Sequence, residues 1–177
     1  MASTNICVAC GICCDGHLFD HARMYPGEQP LCASLGMGTE ERDDGEGRFL
    51  LPCPRHGAEG CTVYDRRPTT CRTFRCRLLK DHEAGAISGD EALAVIGKVH
   101  ALDWHGTLRP LLLRLVPDQA GPVTRHLLAA QAAIAADPDP AAQRRTHAQA
   151  LLRTTALVEL LRQYFYKRPE EDPAARE

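Results

Sequence analysis

The sequence predicts a mainly α protein with little β, in which an irregular, loop-rich N-terminal part precedes a helical one. Three observations carry this. All nine cysteines of the 177-residue chain fall within its first 76 residues. Across that stretch Gly, Pro and charged residues interrupt every apolar run, and the segment from Gly36 to Gly47 reads as an exposed loop. The remainder is rich in Ala and Leu and carries helix start signals. The expected organisation is a cysteine-rich domain over 1–80, a helical extension over 81–168 packed on it, and a frayed polar tail over 169–177.

The helical half divides into three predicted helices. Ser88 with Glu91 three residues later is a capping box, opening a helix over Asp90–Leu102. A second helix covers Val123–Ala136. Asp139 followed by Pro140 places a cap before a first-turn proline, so a third covers Ala141–Tyr166. In the third, Ala150, Thr154, Leu157, Leu161 and Tyr164 recur at alternating four and three spacings, a stripe that must bury itself against the same chain or a second copy. Leu108–Val116 is apolar but broken by Pro110, and reads as either a short edge strand or a buried helical turn.

Composition narrows the function classes. The chain is 44% hydrophobic and 25% charged with a net charge of -2, which argues against a polyanion-binding tail. No apolar run approaches the roughly 20 residues of a membrane span. The N-terminal segment lacks the features of a signal peptide, so the expected compartment is the cytosol, where thiols stay reduced. No nucleophile elbow, phosphate-cradling Gly loop or dinucleotide fingerprint is present. A conventional hydrolase, kinase or dehydrogenase is not indicated, and no catalytic residue is assigned.

The cysteines are the outlying feature. Cys7-x2-Cys10-x2-Cys13-Cys14 packs four thiols into eight residues, and Cys53, Cys61, Cys71 and Cys76 follow at spacings of 8, 10 and 5. Two-residue spacers let a tight turn aim two thiolates at one ion, with zinc–sulfur bonds of about 2.3 Å. These eight are the candidate metal ligands, enough for two four-thiolate sites or one larger cluster; Cys32 looks spare. Neighbours on an extended backbone diverge, so Cys13 and Cys14 are expected to serve different metals. A disulfide framework fits poorly with a reducing compartment and an odd count. Metal binding would also supply the folding free energy that a sparse core lacks.

The residues then carry a family resemblance. Cys7 to Cys14 (CVACGICC), Leu51 to Pro54 (LPCP), and Cys61 to Cys76 (CTVYDRRPTTCRTFRC) together resemble the YkgJ-type, or CxxCxxCC, family of zinc- or iron-chelating domains. The resemblance covers residues 7–76 and implies a metal-binding domain. A related branch includes flagellin lysine methylases, for which an iron-sulfur cluster has been proposed; they are longer, and this chain shows no methyl-donor fingerprint, so methylation is not carried over. The choice between two zinc ions and an iron-sulfur cluster stays open. The CxxCxxC run and the Cys53-Pro54 step resemble ferredoxin spacing, but a fourth cysteine does not follow closely. An iron-sulfur enzyme or electron-transfer protein is the alternative to a binding module.

Several neighbours have candidate roles. Arg66, Arg67, Arg72, Arg75, Arg77 and Lys80 would offset the charge of a four-thiolate centre, net about -2. A nucleic-acid surface is disfavoured because only Tyr64 and Phe74 interleave with them. His17 and His21 would share a helix face after Cys14 and could replace a thiolate, and His56 could support a ligand. Pro68 should start a short helix, and Tyr64 should pack under the cysteine loops with its hydroxyl bonded. Trp104 and His105 read as a hydrophobic anchor or a pocket wall. A protein partner would engage the helical half.

Overall fold

A computed structural model describes residues 5–41 and 47–166. The protein is mainly α with little β: of the described residues 55% are helical and 10% lie in strands. It divides into two compact units, one of Met1–Phe74 with Ala120–Pro122, the other of Arg75–Gln119 with Val123–Glu177. The expected tail at 169–177 lies outside the described residues, as do residues 42–46 of the expected exposed loop over Gly36–Gly47. The rest of that segment is not an exposed loop, because Met37 is buried in the core and Thr39–Glu41 pair as a strand with the segment that opens at Gly47.

The first unit is built from very short elements. Helix α1 (Ile6–Cys10) is capped by the Asn5 side chain, which accepts from the backbone N–H of Cys7 and Val8. Strands β1 (His21–Met24), β2 (Thr39–Glu41) and β3 (Gly47–Leu50) form an antiparallel sheet in the order β1-β3-β2. Helix α2 (Gln29–Ser34) lies between β1 and β2 in sequence. A two-stranded ribbon, β4 (His56–Gly57) with β5 (Gly60–Cys61), leads to a 3₁₀ turn at Tyr64–Arg66 and then to α3 (Thr69–Thr73). Pro68 precedes α3 as expected. The apolar cluster under these elements is small: Met24, Cys32, Leu35, Met37, Phe49 and Val63.

One expectation here is corrected. His17 and His21 do not share a helix face, because no helix follows Cys14: residues 12–16 are turn and His21 opens β1. Two local features stop a helix there. Gly16 adopts φ 88, a left-handed conformation no helix contains. Asp15 accepts the backbone N–H of His17 through its side chain at 3.2 Å, which favours a turn over continued helix.

The second unit is helical throughout: α4 (Arg77–Glu83), α5 (Gly89–His100), α6 (Arg109–Leu112), α7 (Val123–Ala136) and α8 (Pro140–Tyr164). The capping box of Ser88 with Glu91 and the Asp139 cap form as read from sequence. Leu108–Val116 is resolved in favour of helix, because Pro110 sits in the first turn of α6, where a missing N–H costs nothing. A π-helical turn over Trp104–Leu108 leads into it, opened by Asp103, whose carboxylate accepts from the Gly106 N–H and the Thr107 hydroxyl.

Of the predicted α8 stripe, Ala150, Thr154, Leu157 and Leu161 are buried and Val158 joins them, while Tyr164 is only half-buried; α8 packs on α7, α5 and the Trp104 turn within its own unit. Trp104 is an anchor, packed edge to face on His126 with ring centres 5.1 Å apart. Thr154, fully buried, donates its hydroxyl to the Ala150 carbonyl, so its burial leaves nothing unsatisfied. Leu157 is 0% exposed in this core. Leu157→Ala should therefore cost about 2–5 kcal/mol, read as a lowered midpoint for loss of helical circular dichroism.

Candidate metal centre

Three chain segments of the first unit bring cysteines together. In the first, α1 leaves Cys7 exposed and Cys10 buried, and Gly11 then ends the helix at φ 64. The N–H groups of Cys14 and Asp15 both return to the Gly11 carbonyl, at 2.7 and 3.0 Å, closing a turn that carries Cys13 and Cys14.

The second segment is fastened directly to the first. The Cys53 N–H donates to the Cys14 carbonyl at 2.7 Å, and the His56 N–H bends back to the Cys53 carbonyl at 3.2 Å. The β4–β5 ribbon then places Cys61 opposite His56. This ribbon lies close against α1, because Gly60 has no side chain: at φ 86, a β-carbon there would stand 2.7 Å from the Val8 carbonyl oxygen.

The third segment is α3, carrying Cys71, and three hydrogen bonds hold it. The Glu28 carboxylate accepts the Thr69 N–H at 2.7 Å and the Thr69 hydroxyl at 2.6 Å. The Thr70 hydroxyl donates to the Arg23 carbonyl of β1 at 2.6 Å. Cys53, Cys61 and Cys71 all pack on the small apolar cluster, and Cys32 lies fully buried inside it.

The electrostatics register this gathering. Burial pushes the Cys14 thiol far above the ordinary thiol range, and the charges of Cys71, Cys53, Cys7 and Cys61 push in the same direction. Cys71 is raised to about 12, by burial first and then by Cys53, against the opposing pull of the Arg67 guanidinium. Cys53 is raised by burial, which the N–H groups of Arg55 and His56 facing its sulfur partly offset. Five of the eight predicted ligands, Cys7, Cys14, Cys53, Cys61 and Cys71, thus share one electrostatic neighbourhood. Cys10 and Cys13 belong to the same α1 turn as Cys14, and Cys76 stands at the N-cap of α4 in the second unit.

These thiols are gathered without being closed on a point. Among the described residues no three cysteine sulfurs lie within 4.8 Å of one another. The donor set nevertheless suits a thiophilic ion or cluster, being all sulfur, on turns that already aim N–H groups at Cys53. Cys32, set aside as spare, is near enough to Cys53 and Cys71 for their charges to interact.

The arginines divide into two groups. Arg67 stacks on Tyr64 with its guanidinium 3.4 Å from the ring centre, donates to the Tyr64 carbonyl at 2.6 Å, and lowers Cys71. The Tyr64 hydroxyl accepts from Asn5 at 2.6 Å, so it is hydrogen-bonded as expected. Arg75 and Arg77 instead pair with Glu83 and Asp81 of α4. Arg55, which the sequence did not single out, acts on Cys53 and bonds the Leu35 carbonyl at 2.7 Å. His17 and His21 each direct Nδ1 at a nearby carboxylate, Asp15 at 2.5 Å and Asp20 at 2.6 Å.

No family model, curated protein or solved structure matches this chain. No helix among the described residues is long and apolar enough to cross a membrane.

Glu28 offers a test of how α3 is held. Partial burial raises its carboxyl, but the bonds from Thr69 and Tyr25 outweigh this and leave it below the ordinary range. A depressed carboxyl stabilises the fold above its unfolded pKa, near 4.3, and that contribution is lost as pH falls through the lower folded value. Glu28→Gln should therefore lower the urea midpoint at pH 7, and the gap to the parent protein should close in acid.

Proposed function

We propose that the first unit is a YkgJ-type metal-binding domain, working in a reducing compartment and holding zinc or iron through cysteine thiolates. The observation that carries this reading is the convergence of Cys7, Cys14, Cys53, Cys61 and Cys71 from three separate segments onto one patch. Buried free cysteines ordinarily serve singly as small apolar residues. Here burial and then the charges of Cys71, Cys53, Cys7 and Cys61 raise the cost of ionising Cys14, an arrangement that a cation reverses. The resemblance of residues 7–76 to the CxxCxxCC pattern supports the same reading.

The ligands would come from the eight cysteines of that pattern, with Cys32 beneath them as a ninth thiol. Zinc would act as a structural ion, fixing turns that the small core cannot fix alone. An iron-sulfur cluster would add redox chemistry, its potential tuned by N–H groups facing sulfur and by Arg67.

The decisive measurement is elemental analysis, with acid-labile sulfide and a visible spectrum, on protein purified without oxygen or a metal-affinity tag. Zinc without sulfide or colour assigns a structural site; iron with matching sulfide and a brown chromophore assigns a cluster. Absence of both metals overturns the proposal. Cys53→Ser and Cys71→Ser should each lose metal, whereas normal content in both would remove these residues from the ligand set.

Chelation should affect the two units unequally. Structural zinc sites bind with an apparent free energy on the order of 10 kcal/mol, which is folding free energy for the domain around them. Stripping the metal from the whole chain should expose residues 5–74 to proteolysis. The helical circular dichroism of α5, α7 and α8 should persist, since that core is built mainly of buried apolar side chains such as Val99, Ile134, Leu157 and Leu161.

A further inference from the structure

We infer that His56 is a metal ligand, so that the centre is mixed thiolate and imidazole rather than all sulfur. The inference rests on the metal-binding reading above and extends its ligand set beyond the cysteines.

The argument begins with spacing. Cys53-Pro54-Arg55-His56 has the same two-residue spacer as Cys7-x2-Cys10 and Cys10-x2-Cys13, with an imidazole in the second position. Two-residue spacers work because a tight turn points its first and fourth side chains the same way. The turn is present: Pro54 fixes one φ, the His56 N–H returns to the Cys53 carbonyl at 3.2 Å, and the N–H groups of Arg55 and His56 face the Cys53 sulfur.

A second relation is independent of the turn. His56 and Cys61 are direct partners across the antiparallel β4–β5 ribbon. Directly opposed residues put their side chains on the same face of a ribbon, with Cβ atoms about 4.5–5.5 Å apart. Cys53, His56 and Cys61 therefore face one side, two through the turn and two through the strand pair, with donor atoms that do not all lie within 4.8 Å of one another.

The third relation fixes the ring. The Nε2–Cε1 edge of His56 occupies the space where a side chain at residue 11 would begin, so that a β-carbon on Gly11 would overlap it. Gly11 lies within the Cys10-x2-Cys13 turn, so the imidazole sits between the two cysteine segments, half-buried. Its ring nitrogens make no hydrogen bond among the described residues. His17 and His21, by contrast, commit Nδ1 to carboxylates. Both zinc and iron-sulfur centres accept imidazole beside thiolate.

X-ray absorption at the K edge of the metal found in the full-length protein tests this. The expected result is a nitrogen scatterer, at about 2.0–2.1 Å for zinc, beside sulfur at about 2.3 Å. His56→Cys should keep the metal and lose the nitrogen contribution; His56→Ala should weaken Zn²⁺ binding in chelator competition by roughly tenfold or more. An all-sulfur spectrum of the parent protein, or nitrogen that persists in His56→Cys, overturns the inference while leaving the metal-binding reading intact. If His56→Cys does not fold, retention of the nitrogen scatterer in His17→Ala and His21→Ala supports the inference, and its loss in either one overturns it. A parent protein without metal overturns both.

Discussion

One backbone hydrogen bond, from the Cys53 N–H to the Cys14 carbonyl at 2.7 Å, joins the two cysteine-bearing halves of the first unit. Residues 14 and 53 are distant in sequence, and much of the gathering described above follows from their contact. With Cys53 held beside Cys14, the turn to His56 follows within three residues, and the β4–β5 ribbon returns Cys61 to the same side. Gly60 lets that ribbon lie on Val8, and Gly11 gives the His56 ring its place. Each glycine here is defined by what its missing side chain admits, a carbonyl in one case and an imidazole in the other.

The two units depend on different physics. The second buries amphipathic helices in the ordinary way, so its stability is distributed over many apolar side chains. The first has strands of two to four residues and a six-residue apolar cluster, with Ile6, Ile12 and Leu18 buried as well, a small core for loops whose ordering costs entropy. It compensates with specific polar fastenings: Asn5 on α1, Glu28 and Thr70 on α3, Arg55 on the Leu35 carbonyl, Arg67 on Tyr64. Several of these hold a cysteine-bearing element in place. The polar network of the unit is therefore also the scaffold of its candidate site.

How much could be read from the sequence follows the same division. The helix over Val123–Ala136 has the predicted bounds, and those at Gly89–His100 and Pro140–Tyr164 lie within two residues of expectation. Caps and apolar periodicity are local signals, and such helices obey local rules. The edge-strand alternative for Leu108–Val116 fell away because Pro110 occupies a first turn, a position that spacing alone does not reveal. In the cysteine half, strands of two to four residues carry no alternation to detect, and Gly16 with Asp15 turned the chain where a helix face had been expected for His17 and His21. The cysteine pattern was legible as chemistry. Its three-segment convergence was not, since it depends on long-range bonds such as Thr69 to Glu28, and the share taken by Arg55 and Cys32 likewise emerges only in three dimensions.

The state of the thiols gives a reason for this division of labour. Sulfurs bound to one zinc must come within a few ångströms of one another, yet no three here lie within 4.8 Å. Unbound thiolates held that close would repel strongly in a partly buried site, and burial first, then the neighbouring sulfurs, already disfavours charge on Cys14 and Cys71. A backbone that closed the site fully would therefore work against its own folding. The arrangement found avoids this: glycine turns, a strand pair and the Glu28 clamp bring the donors to one side without closing them on a point, and on the proposed reading any last movement is small. On the proposed reading, the ion drives that movement by removing the repulsion that opposes it, and so couples occupancy of the site to order in the loops around it.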